Sequence, residues 1–436
     1  MMQKFTLKAR DTYLKRMVMF QDTEMIKVIT GVRRCGKSSL MKLMVKHLLD
    51  TGIDYDQIFE MNFESIRFPN MDARGFYEYV KARILPEKRM YLFFDEVQRI
   101  LGWENAVNSF CVDFDCDIYI TGSNAYWLSS ELSTYLSGRY VEIKMLPLSF
   151  KEFLDFHGYT VTIKESPTGT LKRRITDQSG DIYDERELFN EYTRFGGMPN
   201  LADVGLEIDR VIAILDGVYS AAIVNDILEH ENRRGQRTVT NVILLRKIIM
   251  FLANNIGSNV SATSISNMLV SEGLLEEKSR KKPAVHTIQR YIEALMEAYI
   301  LYEVKRFDIK NREYLRTLGK YYIVDMGLRN YLLGYRDGDR EKILENIVYL
   351  ELLRQGYSVA NGKIANHEVD FIATKMDEKK YIQVTENMNV PETRERKLVP
   401  LRKIRDHYEK IVIALDCDLT QTQDGIKVLK IIDFLL

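Results

Sequence analysis

Cysteine and histidine are scarce in this sequence of 436 residues, which contains four cysteines and six histidines. No two cysteines form a CxxC pair, and the histidines are scattered without an HExxH pattern. Disulfide-rich secreted domains and structural zinc sites both need such residues in clusters. The sequence therefore argues against both classes, and we interpret Cys35 as a small residue that fills a turn rather than as an oxidation-sensitive thiol.

Net charge and long apolar runs are absent as well. The 62 Lys and Arg residues balance 62 Asp and Glu residues, so no overall field attracts nucleic acid or membrane, and such binding would need a local patch. The apolar runs are far shorter than the roughly 20 residues of a membrane span. The first residues, MMQKFTLKAR, lack the apolar core of a signal peptide. We expect a cytoplasmic protein without a membrane partner.

The composition is that of an ordinary globular protein, with 46% hydrophobic and 28% charged residues. The chain is too long to form a single ordinary hydrophobic core, which suggests two or three domains.

A phosphate-binding pattern stands near the start of the chain. Met25–Thr30 is apolar and β-branched and predicts a buried strand, and Ser39–Leu49 has apolar residues at helical spacing. The intervening GVRRCGKS matches G-x-x-x-x-G-K-[ST] in the strand–loop–helix context that this pattern requires. The alternative is a chance match. The predicted ATP-binding residues here are Gly31, Val32, Arg33, Arg34, Cys35, Gly36, Lys37, Ser38 and Ser39.

The residue types in this loop suit phosphate chemistry. Glycines let backbone N–H groups curl around phosphate oxygens, and the helix N-terminus adds its positive end. Lys37 is a mobile charge for the β- and γ-phosphates, and the Ser38 hydroxyl can ligate Mg²⁺. ATP and Mg²⁺ are therefore the predicted cofactors.

A second acidic site is expected at the end of another strand. In RMYLFFDEVQRI, the apolar run Tyr91–Phe94 ends in Asp95 and Glu96. At the carboxyl end of a parallel strand, Asp95 can hold Mg²⁺ and Glu96 can polarise the attacking water. The alternative is a solvated Asp-Glu pair that opens a helix.

Two further catalytic candidates follow. Asn124 comes after the predicted strand Asp117–Thr121 and could bind the γ-phosphate or the lytic water, or could simply form a turn. Arg139 precedes another predicted strand and could serve a neighbouring subunit as an arginine finger, with a surface salt bridge as the alternative.

The stretches GVRRCGKSSL, FFDEVQ, ITGSN and LSGRYVEIKMLPLSFKEFL together resemble prokaryotic AAA-type ATPases close to the archaeal ATPase branch. The resemblance covers nearly the whole chain. It implies an α/β fold with a core sheet in the strand order 5-1-4-3-2, a helical lid and a C-terminal domain of unknown function. It implies little about biological role and leaves a homo-oligomer open.

The resemblance also suggests an adenine contact. In signal-transducing relatives of AAA ATPases a Gly-x-Pro element contacts the base, and Gly197–Pro199 looks similar. Pro199 would then stack on adenine. An ordinary helix stop, glycine followed by proline, is an equal alternative.

We divide the chain into four segments: an ATPase core over 1–155, a lid and linker over 156–240, a winged helix over 241–330 and a C-terminal domain over 331–436. The stretch 165–184 is polar and is expected to be an insertion or lid loop. In the winged helix, the helix at 284–298 and the basic run before it could contact DNA, or the module could be a lever. The candidate DNA contacts are Arg280, Lys281, Lys282 and Arg290.

The C-terminal segment resembles a restriction-endonuclease-like fold. A helix carries Glu345 and a strand carries Asp370, at places that match the acids of such a site. Gln383 stands where the second strand acid belongs, and Thr385 stands where the lysine belongs. A neutral amide and a hydroxyl remove an anionic ligand and a cation, so we expect a degraded site without nuclease activity.

Two functions compete at this point. The first is a Mg-dependent ATPase in which nucleotide controls a C-terminal half that binds an unknown protein partner, DNA or both. The second is an ATP-licensed DNA-binding effector with an active or partner-completed nuclease domain, which Gln383 and Thr385 disfavour. A regulator that binds nucleotide but barely hydrolyses it is disfavoured by Glu96.

Overall fold

The computed structural model describes two compact units. They are Met1–Pro147 with Glu297–Tyr299, and Leu148–Met296 with Ile300–Leu436. The division into four segments stays a prediction, and the first of them, 1–155, extends beyond Pro147, where the first unit ends. The residues that the structure describes are 7–68, 71–122, 136, 138–165, 171–220, 227, 239, 241–271, 283–315, 319–420, 422 and 424–436.

The first unit contains a five-stranded parallel sheet in the order β2-β3-β4-β1-β5. Read from the other edge this is 5-1-4-3-2, so the order implied by the resemblance is confirmed. The strands are β1 (Ile26–Thr30), β2 (Ile58–Asn62), β3 (Met90–Asp95), β4 (Cys116–Gly122) and β5 (Tyr140–Lys144). The helices are α1 (Asp11–Met19), α2 (Lys37–Asp50), α3 (Ala73–Lys81) and α4 (Trp103–Asp113).

Buried strands hold this sheet at the centre of the unit. Every residue of β1 and of β3 is buried, as expected for a parallel sheet covered on both faces. Phe76 of α3 packs edge-on against Phe94 of β3 and Phe110 of α4, with ring centroids 4.9 and 5.2 Å apart. This packing fixes the carboxyl end of β3, where Asp95 lies.

The first half of the second unit begins with helices around a small sheet. The sequence predicts an insertion or a lid loop at 165–184, and the prediction of a loop is wrong in part, because β6, β7 and β8 form a three-stranded antiparallel sheet. The elements are α5 (Phe150–Phe156), β6 (Thr160–Glu165), β7 (Leu171–Thr176), β8 (Ile182–Tyr183), α6 (Glu185–Phe195), α7 (Leu201–Val204) and α8 (Ile208–Tyr219).

The middle of the second unit, in the residues that the structure describes, combines four helices with a three-stranded sheet in the order β10-β13-β9. Ile288, Ile292 and Leu295 are buried on one face of α11, as their helical spacing predicts. The elements are α9 (Val242–Asn254), β9 (Asn259–Val260), α10 (Ala262–Ser271), α11 (Val285–Glu297), β10 (Leu301–Val304), β11 (Arg306–Asp308), β12 (Glu313–Tyr314), β13 (Gly319–Ile323) and α12 (Met326–Leu333).

The C-terminal part is built on a seven-stranded mixed sheet in the order β12-β11-β14-β15-β16-β17-β18. β11 and β12 come from the segment predicted as a winged helix, and β11 pairs with β14 through Arg306 and Asn361. The remaining elements are α13 (Arg340–Arg354), β14 (Ser358–Ile364), β15 (His367–Lys375), β16 (Glu378–Asn387), α14 (Pro391–Arg402), β17 (Glu409–Asp416), β18 (Lys427–Lys430) and α15 (Ile431–Leu435).

Within the described ranges, no helix combines the length and the apolar character that crossing a membrane requires.

Candidate nucleotide site

The loop after β1 has the backbone that a phosphate cradle requires. Gly31 has φ +137° and Gly36 has φ +103°, conformations that residues with a Cβ rarely adopt. A Cβ on Gly31 would lie 2.1 Å from the carbonyl oxygen of Met145. Only glycine therefore fits where the loop leaves β1, and Gly36 lets α2 begin directly at Lys37.

The side chain of the loop lysine binds the backbone of the loop itself. Lys37 is buried, and its Nζ donates to the carbonyl oxygens of Gly31, at 3.0 Å, and Val32, at 3.3 Å. Ser38 and Ser39 follow in the first turn of α2 and are exposed. The ammonium group therefore lies on the loop that would receive phosphates, and the Ser38 hydroxyl is open to a magnesium ion.

The other loop residues shape this cradle. Val32 and Cys35 are buried, and burial raises the pKa of the Cys35 thiol, which fits a packing residue better than a reactive one. Arg33 forms an ion pair with Glu64 at 3.0 Å. Arg34 is exposed and has φ +65°, a left-handed conformation within the loop.

Asp95 is fixed at the carboxyl end of β3. Its Oδ1 accepts a hydrogen bond of 2.5 Å from the Thr121 hydroxyl, and its Oδ2 accepts one of 3.0 Å from the Asn62 amide. Only 9% of Asp95 is exposed. These bonds orient the carboxylate and leave further lone pairs for a metal or its waters.

Glu96 has an unusual backbone conformation. Its φ of 56° lies in the left-handed region, which is uncommon for a residue with a side chain. Its N–H donates to the Thr121 hydroxyl at 2.9 Å, and its carboxylate accepts a hydrogen bond from the Gln98 amide. Thr121 thus holds both acids, and backbone strain of this kind concentrates at functional sites.

Sequence reasoning missed Thr121 and Asn62. Thr121 lies at the end of β4, and Asn62 lies at the end of β2, in register with Asp95. The available signal was a polar residue at the carboxyl end of an apolar strand, the same signal that identified Asp95.

The sheet order brings the two motifs together. The phosphate loop follows β1, and Asp95 ends β3, while β4 lies between these two strands. All three strands run parallel, so Lys37, Asp95 and Glu96 lie at the same edge of the sheet. Asn124 lies outside the described residues.

Arg139 lies at the amino ends of the strands, on the side of the sheet opposite to the phosphate loop. Its carbonyl oxygen accepts a hydrogen bond of 2.8 Å from the N–H of Ile26, at the start of β1, and its side chain is exposed. The length of β1 separates it from the phosphate loop of the same chain by roughly 15 Å. A contact between Arg139 and nucleotide would therefore need a neighbouring subunit.

Pro199 belongs to the second unit. The glycines before it, Gly196 and Gly197, pack closely against the start of α12, and we call this contact the clasp between α6 and α12. The carboxylate of Asp325, at the start of α12, accepts hydrogen bonds from the N–H of Gly197, at 2.6 Å, and of Leu328, at 2.9 Å. Burial raises the pKa of Asp325 to about 6. A Cβ on Gly327 would lie 1.9 Å from the carbonyl oxygen of Phe195. Pro199 itself is half-buried.

The acids of the C-terminal part are bound to lysines. Nζ of Lys320 lies 2.9 Å from Oε1 of Glu345, which also accepts a hydrogen bond from the Tyr322 hydroxyl. Nζ of Lys397, on α14, lies 3.0 Å from Oδ2 of Asp370. The exposed fraction of these four charged side chains is between 3% and 11%.

The pKa values in this cluster move in opposite directions. Burial raises the pKa of Glu345 despite the nearby Lys320 ammonium. Burial also opposes ionisation of Asp370, but Lys397, Lys320 and the N–H of Val384 outweigh it and lower the pKa of that carboxyl. Asp370 is therefore an anion that the surrounding cations and amide stabilise.

Gln383 and Thr385 are buried on β16, and the Gln383 amide donates to the carbonyl oxygen of Glu368 at 2.8 Å. Across the described part of the chain, no group of three or more His, Cys, Asp or Glu side chains could hold a metal ion.

Of the candidate DNA contacts, only Arg290 can be placed. It is exposed on α11 and forms an ion pair of 3.4 Å with Glu293. Arg280, Lys281 and Lys282 lie outside the described residues.

Sequence comparison finds relatives along the whole chain. An uncharacterized protein of Haemophilus influenzae is 39% identical over 432 residues, which cover 98% of each chain. An uncharacterized protein of Methanocaldococcus jannaschii is 31% identical over 401 residues, which cover 90% of this chain and 80% of the relative.

Structural comparison finds more distant likenesses. A Walker-type ATPase of Pyrococcus abyssi is 14% identical, with a TM-score of 0.47, and the match covers 76% of this chain and 97% of that one. The ORC1 protein of Aeropyrum pernix, solved in complex with DNA, is 11% identical, with a TM-score of 0.30, over 75% of this chain and 92% of that one.

Two family models match parts of the chain. Residues 186–339 match a domain of unknown function, and residues 23–154, which carry the phosphate loop and the Asp-Glu pair, match the family described as an AAA domain. The chain belongs to one family with the uncharacterized proteins of H. influenzae and M. jannaschii, and its residues 23–154 match an AAA domain.

Proposed function

We propose that this chain is a Mg-dependent ATPase whose nucleotide state controls a partner-binding C-terminal half. The proposal is supported by the strand order, because the phosphate loop that carries Lys37 follows β1, and Asp95 and Glu96 stand at the carboxyl end of β3, a parallel strand separated from β1 only by β4. A switch that only bound nucleotide would need the phosphate loop but no oriented acid beside the metal ligand.

Each residue has a distinct role in this proposal. The Lys37 ammonium exchanges the carbonyl oxygens of Gly31 and Val32 for the β- and γ-phosphates. The Ser38 hydroxyl and the Asp95 carboxylate would hold Mg²⁺, which would supply positive charge to neutralise the phosphates. Glu96 accepts a hydrogen bond from the attacking water and orients it for in-line attack.

Three candidates extend this site. Asn124 binds the γ-phosphate or the lytic water, and Pro199 stacks on adenine. Arg139 acts in a neighbouring subunit, because it lies at the opposite edge from its own phosphate loop.

For the C-terminal part we propose a restriction-endonuclease-like fold that has lost its catalytic site. The buried pairs of Lys320 with Glu345 and of Lys397 with Asp370 support this proposal, because each carboxylate already binds an ammonium group. A divalent metal would have to displace both lysines. The domain would then serve as a binding module for a protein partner or DNA rather than as the nuclease of the alternative function.

Calorimetry with an ATP analogue and Mg²⁺ tests the proposal. We expect Lys37→Ala to abolish binding or nearly so, and Lys46→Ala, an exposed lysine on the same helix, to leave it unchanged. Glu96→Gln should bind ATP and retain it uncleaved. Equal affinity of Lys37→Ala and the wild type, or unchanged turnover in Glu96→Gln, would contradict the assignment.

A further inference from the structure

A buried arginine outside the AAA match contacts the phosphate loop. Arg10 immediately precedes α1, is 3% exposed and lies upstream of residues 23–154. Its Nη1 donates to the carbonyl oxygen of Cys35 at 3.0 Å. Its Nη2 donates to the carbonyl oxygens of Leu146, at 3.1 Å, and Pro147, at 3.4 Å. A guanidinium group is therefore inserted between the phosphate loop and the segment that follows β5.

The contact with Cys35 orients one peptide group of the loop. A trans peptide is planar, and its C=O and N–H point in opposite directions. The carbonyl group of Cys35 and the N–H of Gly36 belong to the same peptide. Because Arg10 binds this carbonyl oxygen, the N–H of Gly36 points away from Arg10. In a phosphate loop, N–H groups of this kind converge on the phosphate oxygens while the carbonyl groups face outward.

Arg10 also offsets the partial negative charges of three carbonyl oxygens that lie close together. Three carbonyl oxygens from two chain segments meet at one guanidinium group. Without a cation between them, the partial negative charges would repel each other in a buried place. The carbonyl oxygen of Cys35 would then be free to turn inward, and a carbonyl oxygen directed at the cradle repels phosphate.

The second segment is itself anchored to the loop. The N–H of Met145 donates to the carbonyl oxygen of Thr30 at 2.7 Å, and a Cβ on Gly31 would meet the carbonyl oxygen of Met145. The Tyr13 hydroxyl, on α1, accepts a hydrogen bond of 3.1 Å from the N–H of Leu146. Arg10, Tyr13 and the segment after β5 thus contact one another and fix the outer side of the phosphate loop.

We infer that Arg10 is a positioning residue for phosphate binding, which presets the Cys35–Gly36 peptide so that the N–H of Gly36 faces the phosphate chain of a nucleoside triphosphate. This inference rests on the proposed function. Arg10 acts through the loop backbone, since both of its terminal nitrogens bind carbonyl oxygens.

The test compares three variants by calorimetry with MgADP and a Mg-ATP analogue. Arg10→Met removes the donors at similar length, Arg10→Lys keeps the charge with a single donor atom, and Lys15→Met changes an exposed cation on α1, the helix that Arg10 precedes. We expect Arg10→Met to weaken both nucleotides roughly tenfold to a hundredfold, the usual range for a lost charge-assisted hydrogen bond. Arg10→Lys should fall between Arg10→Met and the wild type, and Lys15→Met should match the wild type. In steady state, KM for ATP should rise while kcat at saturation stays within about threefold.

Thermal unfolding without nucleotide separates positioning from simple stabilisation. If Arg10→Met lowers the melting temperature but leaves both dissociation constants unchanged, the inference is wrong. If Arg10→Met does not fold, Arg10→Lys decides: weaker nucleotide binding supports the inference, and wild-type affinity contradicts it. If the wild type binds nucleotide no better than Lys37→Ala, the proposed function itself fails, and the role of Arg10 in phosphate binding fails with it.

Discussion

Thr121 is the residue that best shows how this site is assembled. Its hydroxyl donates to Asp95 and accepts the N–H of Glu96, so one side chain sets the position of both acids. The sequence identifies Lys37 through a motif with fixed spacing, and Asp95 and Glu96 as an acidic pair at the end of an apolar strand downstream of that motif. Thr121 and Asn62 belong to no motif, and their contacts depend on which strands become neighbours. Their positions at the ends of apolar strands could be predicted from the sequence, but their contacts with the acids could be predicted only after the strand order was known.

Replacement of Thr121 by valine tests this role. Valine has nearly the same shape but cannot hold Asp95 or Glu96, so we expect ATP turnover to fall at least about tenfold while nucleotide affinity changes by less than about threefold. Thr121→Ser keeps the hydroxyl and should retain most of the turnover. Wild-type turnover in Thr121→Val, measured by phosphate release, would show that the acids are positioned without it.

The secondary structure agrees with the sequence-based prediction where the local pattern is strong. It differs where strands pair with residues that are distant in the chain. β1 and α2 lie within two residues of their predicted bounds, since burial and helical spacing define them locally. The stretch 165–184 was expected to be a loop because polar residues and turn formers dominate it, yet it forms part of an antiparallel sheet. β11 and β12 likewise belong to a sheet whose other strands come more than 40 residues later.

The clasp between α6 and α12 gives an element-scale prediction. In an exposed helix, Gly→Ala usually stabilises by up to about 1 kcal/mol. At Gly327 we expect the opposite, because the new Cβ would lie 1.9 Å from the backbone oxygen of Phe195. Gly327→Ala should lower the free energy of unfolding by several kcal/mol, on the order of other overpacked sites. Gly338→Ala meets nothing within 4 Å and is the matched control. Equal urea midpoints for the two variants would refute the tight clasp.

The ion pair between α14 and β15 has a defined pH dependence. The pKa of Asp370 is lowered in the folded protein, so its contribution to stability is present above the unfolded pKa near 3.8 and is lost as pH falls through the folded pKa. Lys397→Met would remove the ion-pair partner of the buried Asp370 carboxylate and leave only Lys320 and the N–H of Val384 to stabilise it, so it should cost about 3–5 kcal/mol at neutral pH. The cost should shrink in acid, where Asp370 in the variant becomes protonated.

Urea unfolding at pH 7 and pH 4.5 measures this difference. Arg396→Met changes the adjacent, exposed cation and should cost no more than about 1 kcal/mol at either pH. A Lys397→Met deficit that is the same at both pH values would show that packing, rather than the charge of Asp370, is responsible.

For the whole molecule, the two buried lysine–carboxylate pairs of the C-terminal part predict the absence of nuclease activity. Purified protein with Mg²⁺ or Mn²⁺ should leave duplex and single-stranded DNA uncut, because Lys320 and Lys397 already neutralise Glu345 and Asp370. Cleavage that disappears in Asp370→Ala would restore the alternative function.

Phosphate release from Mg-ATP, measured over a range of protein concentrations with Lys37→Ala as the baseline, tests the central claim most directly. We predict a rate above this baseline at every concentration, because Lys37, Asp95 and Glu96 lie at one edge of the sheet. If Arg139 serves a neighbouring subunit, the rate per chain will also rise with concentration. A rate that equals the Lys37→Ala baseline at every concentration would contradict the proposal that this chain hydrolyses ATP.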